Sequence, residues 1–288
     1  MRIWLLAARV RTLPAIAAPV LVGTALGIHD GEFDVFAFAC ALAGALLIQI
    51  GTNLANDYSD ARRGADTEER IGPVRVTAGG LVPPRQVLRA VYLTYGLAML
   101  CGIYLVAVAG WPLLLVGVLS ILAGAAYTGG PRPYGYVGLG EVFVFIFFGV
   151  VAVTGSYYVQ IQELPWIVFA LSVPIGLLGA VILLVNNIRD IDTDRRSGKR
   201  TIAVRLGRER SRTLFACLVL GAYVALVVVA LGLTAWTLLP LLTLPLALKL
   251  IATVRGHTDG PTLNAALADS GRLELVFALA LSAGILLS

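Results

Sequence analysis

Nine long apolar runs constrain this chain more than any motif in it. They lie near 12–28, 36–56, 87–109, 111–127, 137–159, 165–188, 213–232, 235–254 and 271–288. Each approaches the roughly 20 mainly apolar residues that an α-helix needs to cross a bilayer. The runs are continuous rather than alternating, which excludes a membrane β-barrel. Pro and Gly punctuate their boundaries at Trp111-Pro112, Gly129-Gly130-Pro131 and Leu164-Pro165. Of 288 residues, 58% are apolar and 14% charged, whereas a water-facing globule carries roughly 25% charged residues. The expected fold class is an all-α integral membrane protein with about nine transmembrane helices. Disordered, secreted disulfide-rich and DNA-binding classes are excluded. The last run is the weakest, because Arg272 and Glu274 shorten its apolar core. The basic, Trp-containing start runs directly into the first span, so no cleavable signal peptide is expected.

Direction follows from the cations. Arg2, Arg9 and Arg11 precede the first span, six cations run from Arg62 to Arg89, and Arg132 stands alone. Nine more run from Arg189 to Arg212, and Lys249, Arg255 and Arg272 complete all 22. With nine spans these all fall on one side, while the opposite loops hold Asp30, Glu32, Asp34 and Glu163 but no Lys or Arg. The positive-inside rule then places the N-terminus in the cytoplasm and the C-terminus outside. The net charge of +5 needs no nucleic acid, because a basic face against anionic lipid accounts for it.

Cysteine and histidine narrow the chemistry. Cys40, Cys101 and Cys217 lie within apolar stretches without paired spacing, and His29 and His257 are far apart. Both patterns argue against zinc, haem or a redox pair. A metal here is expected to be a hard cation held by oxygen.

Two acidic clusters follow the second and sixth spans. The first reads Asn53-Leu-Ala-Asn56-Asp57-Tyr58-Ser59-Asp60-Ala-Arg62-Arg63-Gly64-Ala-Asp66, the second Asn186-Asn187-Ile-Arg189-Asp190-Ile-Asp192-Thr-Asp194-Arg195-Arg196-Ser-Gly198-Lys199-Arg200. Sliding the chain by 134 residues pairs Asn53 with Asn187, Asn56 with Asp190, Asp60 with Asp194 and Gly64 with Gly198. This suggests one domain, 1–288, of two related halves near 1–134 and 135–288. Helical spacing puts Asn53, Asn56, Asp57 and Asp60 on one face, and Asn187, Asp190 and Asp194 on another. Even-numbered spans end on the same side, so both clusters reach one cytoplasmic mouth. Carboxylates converging there repel unless cations stand between them. Mg²⁺ suits the set, since it takes oxygen ligands and leaves room for water and substrate phosphate. The interleaved Arg62, Arg63, Arg70, Arg75, Arg195, Arg196, Lys199 and Arg200 supply phosphate-binding cations. The bland alternative is solvated charge at helix ends; two clusters in register on one side weigh against it. Asp192 lies off the Asp190/Asp194 face.

A third segment on that side, Tyr127-Thr-Gly-Gly-Pro-Arg132-Pro-Tyr134-Gly-Tyr136, forms a tight turn with one cation. Its tyrosines can stabilise a developing positive charge through their π faces. An interfacial aromatic belt accounts equally well for Tyr134 and Tyr136. Glu141 lies just inside the fifth span, where an acid is expensive.

These blocks together resemble the UbiA-type intramembrane prenyltransferases. The likeness is carried by Arg11-Thr-Leu-Pro14, Asn56-Asp57-Tyr58-Ser59-Asp60, Arg63-Gly64-Ala-Asp66, Gly72-Pro73-Val74-Arg75 and Tyr127 through Pro133. It continues in Gly138-Leu-Gly-Glu141-Val-Phe-Val, in Asn187 through Asp194, and in Gly198-Lys199-Arg200-Thr201. Gly64 stands where the wider superfamily commonly has an acid, and Asp66 follows instead. That shift is similar to the branch acting on 1,4-dihydroxy-2-naphthoate in menaquinone biosynthesis, rather than to the ubiquinone, haem-O or chlorophyll branches. The resemblance implies nine helices around a central cavity, with Mg²⁺ bridging two Asp motifs and a polyprenyl diphosphate. It implies that Asn56, Asp57, Asp60, Asp190 and Asp194 hold metal and diphosphate, the four acids being the catalytic set. Asn53 and Asn187 would orient them, Arg132 and Lys199 would contact the diphosphate, Tyr127 would border the substrate, and Asp66 would close a loop over the site.

The implied reaction ionises an allylic diphosphate, and the naphthoate ring captures the cation at its carboxylate-bearing carbon. CO₂ and diphosphate leave, giving demethylmenaquinone. Loss of CO₂ rearomatises the ring, so little is asked of a protein base. The implied location is the cell membrane, with the site facing the cytoplasm. Another aromatic acceptor is the nearest alternative. An ion-coupled transporter is the rival of a different class, disfavoured because the acids sit at helix ends rather than mid-span. A CDP-alcohol transferase fits poorly, since Ala61 and Arg62-Arg63 replace the Gly and Ala-Arg it needs after the second Asp.

Overall fold

The computed structural model describes residues 2–10, 13–64, 72 and 75–288, so Arg11, Asp66 and Arg70 lie outside the described residues. All regular structure among them is helical: α1 (Arg2–Ala8), α2 (Pro14–His29), α3 (Val35–Arg62), α4 (Pro84–Ala109), α5 (Pro112–Ala126), α6 (Gly140–Ile161), α7 (Trp166–Arg189), α8 (Ile191–Arg196), α9 (Ile202–Leu206), α10 (Arg208–Gly232), α11 (Ala235–Gly256) and α12 (Gly260–Leu286), with one 3₁₀ turn at Tyr134–Val137 between α5 and α6. Each of the nine expected apolar runs falls on one of these helices. Six of them, α3, α4, α6, α7, α10 and α11, are long and apolar enough to cross a membrane, while α2 and α5 are shorter apolar helices.

Two boundaries differ from expectation for a common reason. The run near 36–56 continues as helix to Arg62, and the last helix begins at Gly260 rather than near 271. In both cases the extra turns are polar, so hydropathy does not register them. Caps do: the Asp259 carboxylate accepts the Thr262 N–H at 2.9 Å, with a proline in the first turn. Asp34 opens α3 in the same way, accepting from the N–H groups of Phe36 and Ala37.

The core is asymmetric. Helix α7 is the central element, with 67% of its most apolar window buried, against 17% for α3 and α4. Its Leu171, Ile175, Leu178, Leu184 and Ile188 are enclosed by α2, α6, α10 and α12. A second, smaller core lies between α3 and α4 around Leu54, Val87, Val91 and Tyr95. Outward faces carry bare apolar side chains such as Trp111, Val224, Leu231 and Leu242, a surface that suits lipid and not water. Helix α6 is π-helical from Phe145 to Val151, which swings Gly149 against Gly176 of α7. A Cβ on Gly149 would collide with the Gly176 backbone, so bare glycines set this crossing.

The candidate functional site

A cavity of about 1080 Å³ opens where α3 and α7 end, and reaches down between α2, α6, α7 and α12. Its polar mouth and apolar depth follow from the helix sequences. Both α3 and α7 are apolar until their last turns, which then present amides and carboxylates. Asn53, Asn56 and Asp60 from α3, and Asn186, Asn187, Asp190 and Asp194 from the end of α7 and from α8, all line it. Two segments far apart in sequence therefore meet at one mouth.

Within the first set each group has a distinct partner. Asn53 donates to the Ala8 carbonyl at 3.0 Å and accepts from Gln49 at 3.3 Å. Asn56 Oδ1 accepts the Thr128 hydroxyl at 2.8 Å. Asp60 is buried and held from three sides. Its Oδ2 faces Arg75 Nη2 at 3.1 Å and Lys199 Nζ at 3.2 Å, and its Oδ1 accepts the Tyr136 hydroxyl at 2.6 Å. Lys199 Nζ also lies 4.8 Å from the Tyr136 ring centroid, within cation–π range. Asp57 points elsewhere. Its two oxygens accept the backbone N–H groups of Val76 and Thr77, each at 2.8 Å, and it does not line the cavity.

The second set is organised by Arg189, which is buried. Its guanidinium grips Asp190 through two bonds, 2.8 Å and 2.6 Å, and also reaches Asn186 at 2.8 Å and Asn264 of α12 at 2.6 Å. Such a planar fork can serve four acceptors, where an ammonium could not match the geometry. Asn187 Nδ2 donates to Glu141 Oε1 at 2.8 Å. The Asp194 backbone bonds the Asp190 carbonyl and accepts the Lys199 N–H, so one compact turn carries Asp194 to the cavity wall and aims Lys199 across at Asp60.

The third segment supplies an aromatic rim. Tyr127 meets Tyr134 edge-on with centroids 5.4 Å apart, and Tyr134 stacks on Phe143 at 3.9 Å. Burial pushes the Tyr127 hydroxyl above its ordinary value, reinforced by Glu141, and burial does the same to Tyr134. Both are neutral phenols at physiological pH. Arg132 is exposed on this turn and lies outside the cavity lining.

Among the described residues, no three carboxylate, imidazole or thiol groups form a ready metal cluster. The converging negative charge expected from the sequence is met instead by Arg75, Lys199 and Arg189. The remaining donors are nonetheless all oxygen, from amides and carboxylates on two facing helix ends. That chemistry fits a hard divalent cation. Sequence reasoning did not find Arg189 as an organiser, Asn264 as its partner or the Tyr136 hydroxyl on Asp60. An adjacent Arg-Asp pair was the one available signal, and no pattern tied α12 to it.

Residues 16–285 match the UbiA prenyltransferase family. The chain is 42% identical over 284 residues to a 1,4-dihydroxy-2-naphthoate octaprenyltransferase of Mycobacterium tuberculosis, covering 98% of this chain and 96% of the relative. It is 40% identical to a protein of the same description from Escherichia coli, covering 99% and 95%. Among solved structures, a UbiA homolog from Archaeoglobus fulgidus bound to GPP and Mg²⁺ superposes with a TM-score of 0.73. The identity there is 14%, covering 99% of this chain and 100% of that one.

Proposed function

The chain belongs to the UbiA prenyltransferase family, and we propose that it transfers a polyprenyl group from an allylic polyprenyl diphosphate to 1,4-dihydroxy-2-naphthoate. CO₂ and diphosphate leave, and the product is demethylmenaquinone in its reduced, quinol form. The observation that carries this reading is the cavity itself, polar and cationic at its mouth, apolar below, and open beside lipid-facing helices. A diphosphate with a greasy tail matches that gradient.

The chain's own groups then have assigned work. Lys199 and Arg75 face the diphosphate and stabilise the charge that builds on it as the allylic C–O bond ionises. Asn53 and Asn187, fixed by Ala8 and Glu141, orient the head group. Asn56, Asp60, Asp190 and Asp194 would hold a divalent cation, Mg²⁺, which would supply positive charge beside the departing diphosphate. Phe143, Phe147 and Phe148 wall the cavity and keep water from the allylic cation, while Tyr127 and Tyr134 offer it their π faces. Because CO₂ departs from the carbon that forms the new bond, no strong base is required. Arg132 and Asp66 are assigned to the approach of the diphosphate and to closure over it, and Asp57 to bracing the loop at Val76 and Thr77 beside the acidic set.

The proposed setting is the cell membrane, with nine spans, the N-terminus and the cavity mouth in the cytoplasm, and two related halves meeting at the site. The test is turnover in nanodiscs with the naphthoate and an allylic polyprenyl diphosphate, with Mg²⁺ or with EDTA, following quinone and CO₂ together. Mg²⁺-dependent prenylated product with CO₂ release is expected. Product only from 4-hydroxybenzoate or homogentisate overturns the acceptor, and absence of product from every acceptor overturns the activity.

A further inference from the structure

Two glutamates lie buried inside the bundle, Glu141 beside the acidic mouth and Glu274 away from it. Glu141 accepts the Asn187 amide. Glu274 of α12 is 1% exposed, lines the cavity, and makes no hydrogen bond or ion pair among the described residues. Its Oε1 lies against the bare backbone of Gly179, at 3.5 Å from where a Cβ would stand, among Val144 and Phe148. A carboxyl held in apolar surroundings without a partner is destabilising unless a donor arrives to meet it. This one has open cavity in front of it.

Its depth says which ligand brings the donor. Glu274 lies ten residues along α12 from Asn264, which contacts Arg189 at the mouth. At about 1.5 Å per residue the carboxyl is roughly 15 Å lower. On α7, Gly179 lies eight residues from Asn187, about 12 Å by the same rise. The diphosphate head belongs with the cations above. A prenyl tail has no hydrogen-bond donor, so an unpaired carboxyl beneath it would only oppose its binding. A hydroxylated aromatic ring does carry one.

From this geometry we infer that Glu274 is the acceptor-binding group on the cavity wall below the mouth, taking a hydrogen bond from a ring hydroxyl of a hydroxyaromatic substrate. The inference rests on the acceptor proposed above. In 1,4-dihydroxy-2-naphthoate the 1-hydroxyl is bonded internally to the neighbouring carboxylate. The 4-hydroxyl is free, and it points away from the carboxylate when the latter faces the cationic mouth. Glu274 thus fixes the ring's orientation and selects for the second hydroxyl.

The experiment measures inhibition and KM in nanodiscs for wild type, E274L and E274Q. Its probes are 1,4-dihydroxy-2-naphthoate and 1-hydroxy-2-naphthoate, the analogue lacking the 4-hydroxyl. Wild type is expected to favour the dihydroxy compound by at least about tenfold, the usual consequence of a buried partner left unpaired. In E274L that preference collapses towards unity, with acceptor KM raised and the KM for prenyl diphosphate within about twofold of wild type. E274Q, which retains an acceptor oxygen and the side-chain volume, keeps part of the preference and carries the same readout should E274L not fold. A preference unchanged in E274L or E274Q overturns the assignment of Glu274 while leaving the reaction intact. Wild type that binds neither naphthoate overturns both the assignment and the proposed acceptor.

Discussion

Lys199 Nζ stands 3.2 Å from Asp60 Oδ2, joining the turn after α8 to the last turn of α3. The carboxylate's other oxygen is held by Tyr136, whose ring lies beneath the same ammonium. Replacing Lys199 by Met keeps the stem and removes the charge. Because Arg75 still pairs Asp60, the fold survives, but a cation facing the leaving group is gone. The kcat/KM for prenyl diphosphate should fall by on the order of 10²-fold. Steady-state kinetics at saturating acceptor would read this, and a change under about threefold would remove Lys199 from the mechanism.

Arg189 carries a different kind of weight. Truncation to Ala strands Asp190, Asn186 and Asn264 together, and removing one partner of a buried ion pair costs about 3–5 kcal/mol. Denaturant unfolding in detergent should show that loss. R189K should recover little of it, since an ammonium cannot replace the two-pronged grip on Asp190.

Asp57 offers a way to separate an anchor from a ligand. D57N leaves one acceptor oxygen for two backbone donors, so amide hydrogen exchange at Val76 and Thr77 should accelerate. If the carboxylate serves this loop, half-maximal activity will still need the same Mg²⁺ concentration. A shift of about tenfold, or 1.4 kcal/mol in metal binding, would make it a ligand instead.

The meeting of Gly149 and Gly176 predicts a steric effect remote from the mouth. G149A forces the π-helical part of α6 away from α7 and should destabilise by about 1–3 kcal/mol. Ala at Gly155, where nothing lies within 4 Å of the Cβ position, is the control and should be neutral or better.

Asp34 gives a pH-dependent prediction with a definite sign. The Ala37 N–H, with help from Phe36 and Tyr104, holds its carboxyl below the ordinary value. Its stabilisation is therefore complete above the unfolded carboxylate's pKa and is lost as pH falls through the folded one. Near neutrality D34A should melt lower by on the order of 2–4 °C. The gap should close in acid, and a gap that persists there would refute capping as its origin.

Hydropathy made the helical bundle legible, because a bilayer imposes length and apolarity on anything that crosses it. It could not see the polar last turns of α3 or the polar first turns of α12, the latter marked by the Asp259 cap. In the site, spacing brought Asn53, Asn56, Asp60, Asn187, Asp190 and Asp194 to one cavity, since helical periodicity alone decides which residues share a face. It misdirected Asp57, one position round the helix from Asn56, because the loop that takes its oxygens returns some 20 residues later. Arg132 sits on the expected turn but faces outward. Glu274 weakened a span in the sequence, and only its enclosure in the folded bundle gives it a candidate role.

The Lys199–Asp60 bridge also has a consequence for how the protein is made. Its halves leave the ribosome 139 residues apart, so for much of synthesis α3 waits in the membrane with Asp60 met by Arg75 and Tyr136 but not by the second acidic turn. A chain stopped anywhere before Lys199 inserts helices yet has no complete mouth. Competence thus arrives late and all at once, when the second acidic turn emerges and closes on the first.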